Sequence, residues 1–416
     1  MISDVTEARD LLRALFQQAV DAVAGYAAVA GALRREQLPA GPVAVLAIGK
    51  AADSMCQGAL EVLGEQLYRG LLITKQGHVS AICRKHPQLQ CLESAHPIPD
   101  QRSLEAGREM RLFLGDLPPR MPLLVLISGG ASSLVEELPA GFGVDALVEM
   151  NRWLLSRDLP IDRINAVRIA VSCIKGGRLR ERMRDRRLLV HLISDVPDDD
   201  PAVIGSGLLF AASSSHALPA DMPASVQAMR DAAPPLPRVS GGNDPDMQWQ
   251  IVASNHLACE AVERVARARG LTVYRAVDLK QGNALEAGLQ LADELKQGAP
   301  GLYLHGGETT VRLPAKPGRG GRAQELALRA AIALAGSDDC VLLAAGTDGT
   351  DGPGDDAGAI VDGGTCERGR QRGLDPTACL DAADSGRFLA ASGDLIQTGP
   401  TGTNVMDIYM GLKFYV

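Results

Sequence analysis

Short apolar runs of buried-strand length recur along this chain, and each stops at a glycine or a polar turn. In the first half they are Val43 to Ile48, Leu71 to Thr74, Leu123 to Ile127 and Leu188 to Ile193. The second half has Gln250 to Ala253, Thr272 to Arg275, Leu302 to His305 and Val341 to Ala345. Stretches with helical spacing separate them, and Thr6 to about Arg35 is helical in pattern, with Leu11, Leu12, Leu15, Phe16, Val20 and Val23 on one face. Strands alternating with helices predict an α/β fold, with largely parallel sheets flanked by helices. A chain of 416 residues has room for two such domains. The turn-rich segment 232–247 predicts their boundary, giving an N-terminal Rossmann-like α/β domain over 1–240 and a second α/β domain over 248–416. The segment from Asn404 to Val416 reads as a closing helix or strand pair.

The balance of 42 basic against 50 acidic side chains gives a net charge of −8, and aromatics make up 3%. Neither an electrostatic field for nucleic acid nor stacking platforms for its bases are present, so nucleic-acid binding is not expected. The apolar runs are too short to span a membrane, and the start Met1-Ile2-Ser3-Asp4 lacks a secretory pattern. Eight cysteines without a C-x-x-C pair read as reduced, packed thiols. A cytoplasmic location is expected, and a homodimer is the base-rate expectation.

In parallel sheets ligands gather at the carboxyl ends of strands, so the loops there are the candidates for chemistry. Gly49-Lys50 follows the first run and could seat a phosphate, but it is not a Walker A loop because Ala51 stands where Ser or Thr is needed. Ser128-Gly129-Gly130-Ala131-Ser132-Ser133 offers amides and hydroxyls to an anion; a tight turn is the alternative. Asn165 to Leu179 carries three cations, Arg168, Lys175 and Arg178, and the pair Gly176-Gly177. Ser194-Asp195-Val196-Pro197-Asp198-Asp199-Asp200 clusters carboxylates that suit Mg2+, which bridges carboxylates to phosphates; a solvated acidic turn explains it equally well. The second half adds Gly306-Gly307-Glu308-Thr309-Thr310, the Gly318 to Arg322 turn, the glycine- and aspartate-rich loop Gly346 to Asp356, and Thr398 to Asn404. An arginine at a glycine-rich turn can stabilise charge developing in phosphoryl transfer. Among seven scattered histidines, His96 is the one retained as a site candidate. No G-x-G-x-x-G fingerprint and no H-E-x-x-H helix occur.

In combination and order these segments resemble the glycerate 2-kinase family, whose C-terminal part is called the MOFRL domain. The resemblance runs nearly end to end. It implies two α/β domains with an active-site cleft between them, ATP-dependent phosphorylation of D-glycerate at its 2-hydroxyl, and a divalent cation such as Mg2+. It also implies that Lys50 and Arg322 are the residues most associated with activity. Beyond these two, Asp195 is expected to act as base or to orient the substrate. Gly129, Gly130, Ala131, Ser132, Ser133, Lys175, Glu308, Thr403 and Asn404 are expected to bind substrate or phosphate, and Asp348 and Asp351 to hold the metal. The chain departs from the family pattern at Asp198, Leu208, Ala323 and Gly354. Two other readings compete: an NAD(P)H-dependent hydroxypyruvate reductase, against which the missing dinucleotide fingerprint counts, and a non-catalytic nucleotide-binding regulator.

Overall fold

The computed structural model describes residues 2, 4–157, 159, 161–211, 217–237 and 244–415. The chain divides into two compact units, Gly25–Val252 and Met1–Ala24 with Ala253–Val416. The division differs from the one expected at 240/248. Residues 238–243 of that turn-rich segment lie outside the described residues. The helix Val5–Val23 packs on the helix Asn255–Ala268 and so goes with the second half of the chain. Its buried face of Leu12, Leu15, Phe16, Ala19, Val20 and Val23 finds its partners there.

The unit Gly25–Val252 is built on six strands: β1 (Val43–Ile48), β2 (Leu67–Lys75), β3 (Leu89–Ser94), β4 (Leu123–Ile127), β5 (Leu188–Ile193) and β6 (Met247–Ala253), in the order β3-β2-β1-β4-β5-β6. The pairs from β3 to β5 are all parallel. Helices cover the sheet, so β1, β4 and β5 are buried at every position and read as unbroken apolar runs rather than alternating ones. β6 was expected to open the second half; it closes this first sheet instead, as a part-exposed edge. Beside the main core, the helices Val144–Leu155, Ile161–Val171 and Ala224–Ala232 make a smaller one around Leu147, Val167, Val171, Val226 and Met229.

The other unit holds β7 (Val273–Arg275), β8 (Lys280–Asn283), β9 (Gly301–Thr310), β10 (Cys340–Gly346), β11 (Gly358–Asp362), β12 (Leu395–Ile396) and β13 (Asp407–Lys413). Its order is β12-β11-β10-β13-β9-β7, with β8 also on β9. The expectation of a largely parallel sheet fails here, because the sheet is mixed. β7 and β8 run parallel to β9, while β9, β13, β10, β11 and β12 pair antiparallel in succession. The reason is visible in the connections: a parallel return needs a crossover, usually a helix, and the loop 347–357 between β10 and β11 has none. The closing segment is a single strand, β13, inserted between β9 and β10 with all but its last residue buried.

Candidate active site

In the sheet of Gly25–Val252 the chain steps outward from β1 through β2 to β3, then returns to the other side of β1 with β4. The reversal between β1 and β4 is the position at which open α/β sheets bind ligands, beyond the carboxyl ends of the strands. The Gly49-Lys50 and Gly129 to Ser133 loops lie on either side of it. They are knitted together: the Lys50 amide donates to the Gly129 carbonyl at 2.9 Å, and the Ala51 amide to Ser128 Oγ at 3.0 Å. Gly49, at φ +136°, lies so close to Ser128 that a Cβ there would strike its hydroxyl and carbonyl.

The two glycines after β4 bring functional side chains together by lacking their own. A Cβ on Gly129 would fall inside the carboxylate of Asp195, which follows β5. A Cβ on Gly130, at φ +82°, would lie 2.9 Å from the His96 ring and 3.0 Å from Lys50 Cγ. Lys50, His96 and Asp195, from the ends of β1, β3 and β5, thus converge on one glycine pair. Ser132 Oγ meets Ser206 Oγ at 2.8 Å, and Ser133 Oγ donates to the Gly130 carbonyl at 3.0 Å, so the latter hydroxyl shapes the turn.

Lys175 does not join this group. It is 1% exposed and ion-paired to Glu136, whose other oxygen accepts from Ser172 Oγ at 2.6 Å. Burial lowers the lysine pKa while the Glu136 charge supports it. The expectation that Lys175 binds substrate phosphate is therefore corrected: its charge neutralises a buried carboxylate and is enclosed by protein.

In the other unit, Arg322 opens the helix Arg322–Leu334 and is gripped by two carboxylates. Its Nε and Nη2 donate to Asp407 at 2.7 and 3.0 Å, and Nη1 donates to Glu308 at 2.5 Å. Burial works against the charge, but the Asp407 hydrogen bonds and the Asp407 and Glu308 charges raise the guanidinium pKa above its ordinary value. These contacts engage three of the five N–H donors of a guanidinium. Glu308, expected among the substrate-binding residues, instead orients Arg322.

Asp351, expected at the metal, caps the same helix. Its oxygens accept from the amides of Ala323 at 3.1 Å and Gln324 at 2.8 Å, and Gly321 is pressed against it. Burial pushes its carboxyl up to about 6. A carboxylate with both oxygens engaged by backbone amides does not fit a cation ligand. Asp348 fits better. It is half-buried, accepts from the Thr350 amide and hydroxyl at 3.1 Å, and shares the flank of Gly346 with Asp407. Among the described residues no group of three or more His, Cys, Asp or Glu side chains could hold a metal. A cation here would take one protein carboxylate and draw its remaining ligands from phosphate oxygens and water, the usual habit of Mg2+.

Thr403 and Asn404 are buried in a loop stapled to the end of β10. Thr347 Oγ1 donates to the Met406 carbonyl at 2.6 Å and accepts from the Val405 amide at 2.8 Å, and Thr401 Oγ1 donates to the Thr347 carbonyl at 2.7 Å. The Thr403 hydroxyl is buried without a partner among the described residues, so a ligand group could be accommodated at this position.

Sequence reasoning missed Asp407 and Glu325. Asp407 carries no motif signal. It meets Arg322 because β13 pairs with both neighbours, setting Asp407 against Gly307 of β9 and Gly346 of β10. Glu325 lies one turn into the helix that follows the Gly318 to Arg322 turn; burial and the Asp351 charge raise its carboxyl to about 7.

Two α/β units with glycine-lined cationic sites beyond their strand ends define an anion-handling protein of the α/β class. Comparison with known proteins makes this specific. Residues 11–235 match the family described as Domain of unknown function (DUF4147), and residues 301–407 match the MOFRL family. The chain is 34% identical to the D-glycerate 2-kinase of Thermotoga maritima, over 89% of this chain and 90% of that one. A relative from Agrobacterium vitis, 34% identical over 96% and 93% of the two chains, bears the provisional name hydroxypyruvate reductase. The crystal structure of glycerate kinase from Thermotoga maritima superposes with a TM-score of 0.87 at 32% identity, covering 98% of this chain and all of that one. The chain belongs to the MOFRL-type glycerate 2-kinase family.

Proposed function

We propose that the protein transfers the γ-phosphoryl group of ATP to the 2-hydroxyl of D-glycerate, giving 2-phosphoglycerate and ADP. The observation that carries this reading is the convergence of Lys50, His96 and Asp195 on Gly129 and Gly130 at the switch point of a parallel sheet. Phosphoryl transfer asks the protein mainly for positioning and for cations near oxygens whose charge grows. Lys50, half-buried and packed against Gly130, supplies one such cation. Arg322, fixed by Asp407 and Glu308, supplies another. Asp195 accepts the proton of the attacking hydroxyl as its oxygen bonds to phosphorus, and the bridging oxygen leaves with ADP. A divalent cation held by Asp348 and the phosphate oxygens would neutralise charge on the triphosphate. The Thr403 and Asn404 loop supports nucleotide or substrate contacts.

The reductase reading has less support. It needs a nicotinamide site, and neither the Gly49-Lys50 nor the Gly129-Gly130 turn has the G-x-G-x-x-G pattern. Among the described residues no helix is long and apolar enough to cross a membrane. The eight cysteines are all unbridged and all but Cys91 buried, which accords with a reducing, cytoplasmic setting. The test is ADP release with ATP, Mg2+ and D-glycerate. Lys50→Ala should lower kcat by about a thousandfold or more, the scale of a lost transition-state charge partner. Near-normal kcat in that variant would remove Lys50 from the mechanism.

A further inference from the structure

Of the three cations between Asn165 and Leu179, two are spent on the fold. Lys175 neutralises Glu136. Arg178 donates to the carbonyls of Pro234 and Ile169, at 2.6 to 2.8 Å, and to that of Lys175 at 3.3 Å. Arg168 is different: among the described residues no acceptor reaches its half-buried guanidinium, and none reaches the side-chain amide of Asn165. Burial without such an acceptor lowers the Arg168 pKa, with only the Glu136 charge opposing it. A half-buried guanidinium with no protein hydrogen-bond acceptor among the described residues keeps its planar donor fork available to an anion.

Helix geometry says where this cation faces. In Ile161–Val171 the positions Ile164, Val167 and Val171 turn to the small helical core. Asn165 and Arg168, three apart, share the neighbouring face, and Ser172 follows directly on the helix end. Ser172 reaches Glu136, two residues beyond the short helix Ala131–Leu134 that continues the Gly129-Gly130 turn. The carbonyl of Ser206, whose hydroxyl touches Ser132, accepts from the Gly176 amide at 3.1 Å. The chain just beyond this helix is therefore tied to the segments that carry the Gly129-Gly130 turn, and Arg168 itself lies within reach of the Glu136 charge.

We propose that Arg168, with Asn165 one turn before it, receives the carboxylate of the acceptor substrate and so orients its hydroxyl toward Asp195. This rests on the kinase reading above. A carboxylate and a phosphate share anionic chemistry. The carboxylate is the assignment because one planar guanidinium fork beside one amide matches a planar, two-oxygen group. The backbone turn and Lys50, by contrast, form the concave site that phosphates favour.

The experiment varies D-glycerate and ATP separately for Arg168→Ala, Arg168→Lys and Asn165→Ala, with calorimetric binding of D-glycerate alone as a second readout. Arg168→Ala is expected to raise KM and Kd for glycerate by about 10- to 100-fold, the scale of a lost charge-assisted hydrogen-bonded pair, while KM for ATP stays within about twofold. Wild type should prefer glycerate over glyceramide, its neutral amide, and Arg168→Ala should lose that preference. A rise in KM for ATP instead, or an unchanged glycerate-to-glyceramide ratio, overturns the proposal. Should the alanine variant fail to fold, Arg168→Lys decides by the same ratio. Wild type that binds glycerate but gives no ADP with ATP sinks the kinase reading alone; wild type that binds no glycerate sinks both.

Discussion

Replacing Asp407 by asparagine tests how Arg322 is held. Asp407 is 1% exposed and accepts two hydrogen bonds from Arg322, at 2.7 and 3.0 Å, and one from the Tyr409 hydroxyl at 3.1 Å. Asparagine keeps one oxygen and turns the other into an NH2 group facing donors, so it loses the ion pair and at least one charge-assisted bond. A hydrogen bond to a charged group contributes about 1.5–3 kcal/mol, and stranding one partner of a buried pair costs about 3–5 kcal/mol. Arg322 is 34% exposed and can partly rehydrate, so the expected loss sits low in that span, at about 2–3 kcal/mol. At roughly 2–4 °C per kcal/mol for a unit of this size, the unfolding midpoint falls by about 4–12 °C. Catalysis should suffer too, because a displacement of about 1 Å in a positioned group can cost about a hundredfold in rate. The assays are thermal unfolding and steady-state kinetics, with Glu308→Gln as the comparison. Glu308 is 41% exposed, so losing its charge should cost about 1 kcal/mol or less. Wild-type Tm and kcat in Asp407→Asn, or a larger loss of stability in Glu308→Gln, would refute the reasoning. The same geometry makes Arg322→Ala a double lesion: it removes a cation from the site and leaves Asp407 buried without its main partner.

Three further outcomes are expected. Lys175→Met should lower Tm by stranding Glu136 at a cost of about 3–5 kcal/mol, and adding Glu136→Leu should restore most of it; a large rise in KM without a change in Tm would instead return Lys175 to the substrate site. Glu325, raised to about 7 from an ordinary 4.5, binds a proton in the folded state that it releases when unfolded. Its stabilising contribution is therefore complete below about pH 4.5 and lost as pH rises through about 7, so Glu325→Gln should match wild type near pH 4 and exceed it above pH 8 by about 1–3 kcal/mol. A stability difference that does not change with pH would count against that burial. Asp348→Asn should raise the Mg2+ concentration needed for half-maximal rate by about tenfold with Tm unchanged, whereas an unaltered Mg2+ dependence would place the cation elsewhere.

The first sheet was legible because β1, β4 and β5 are covered on both faces and must read as unbroken apolar runs. β6 was misplaced because a part-exposed edge strand looks the same whichever sheet takes it. The mixed second sheet was hidden because antiparallel pairing of β13 with β9 and β10 depends on partners distant in sequence. At the site, loops after strands announced Lys50, Gly129, Gly130 and Asp195 through their small residues. Charge alone could not distinguish Lys175, consumed by Glu136, from Arg168, which has no such acceptor among the described residues. Nor could composition reveal that Asp351 caps a helix while Asp348 remains half-exposed. Each of these distinctions belongs to hydrogen-bond accounting in three dimensions.

The central claim is the transfer of phosphate to the 2-hydroxyl of D-glycerate. It is tested most directly by supplying the protein with ATP, Mg2+ and D-glycerate and coupling product formation to enolase in the absence of phosphoglycerate mutase. Phosphorylation at the 2-hydroxyl gives an immediate enolase signal that requires ATP and is lost in Lys50→Ala. A signal that appears only after mutase is added would place the phosphate on the 3-hydroxyl. NADH oxidation with hydroxypyruvate, without ADP formation from glycerate, would contradict the account altogether.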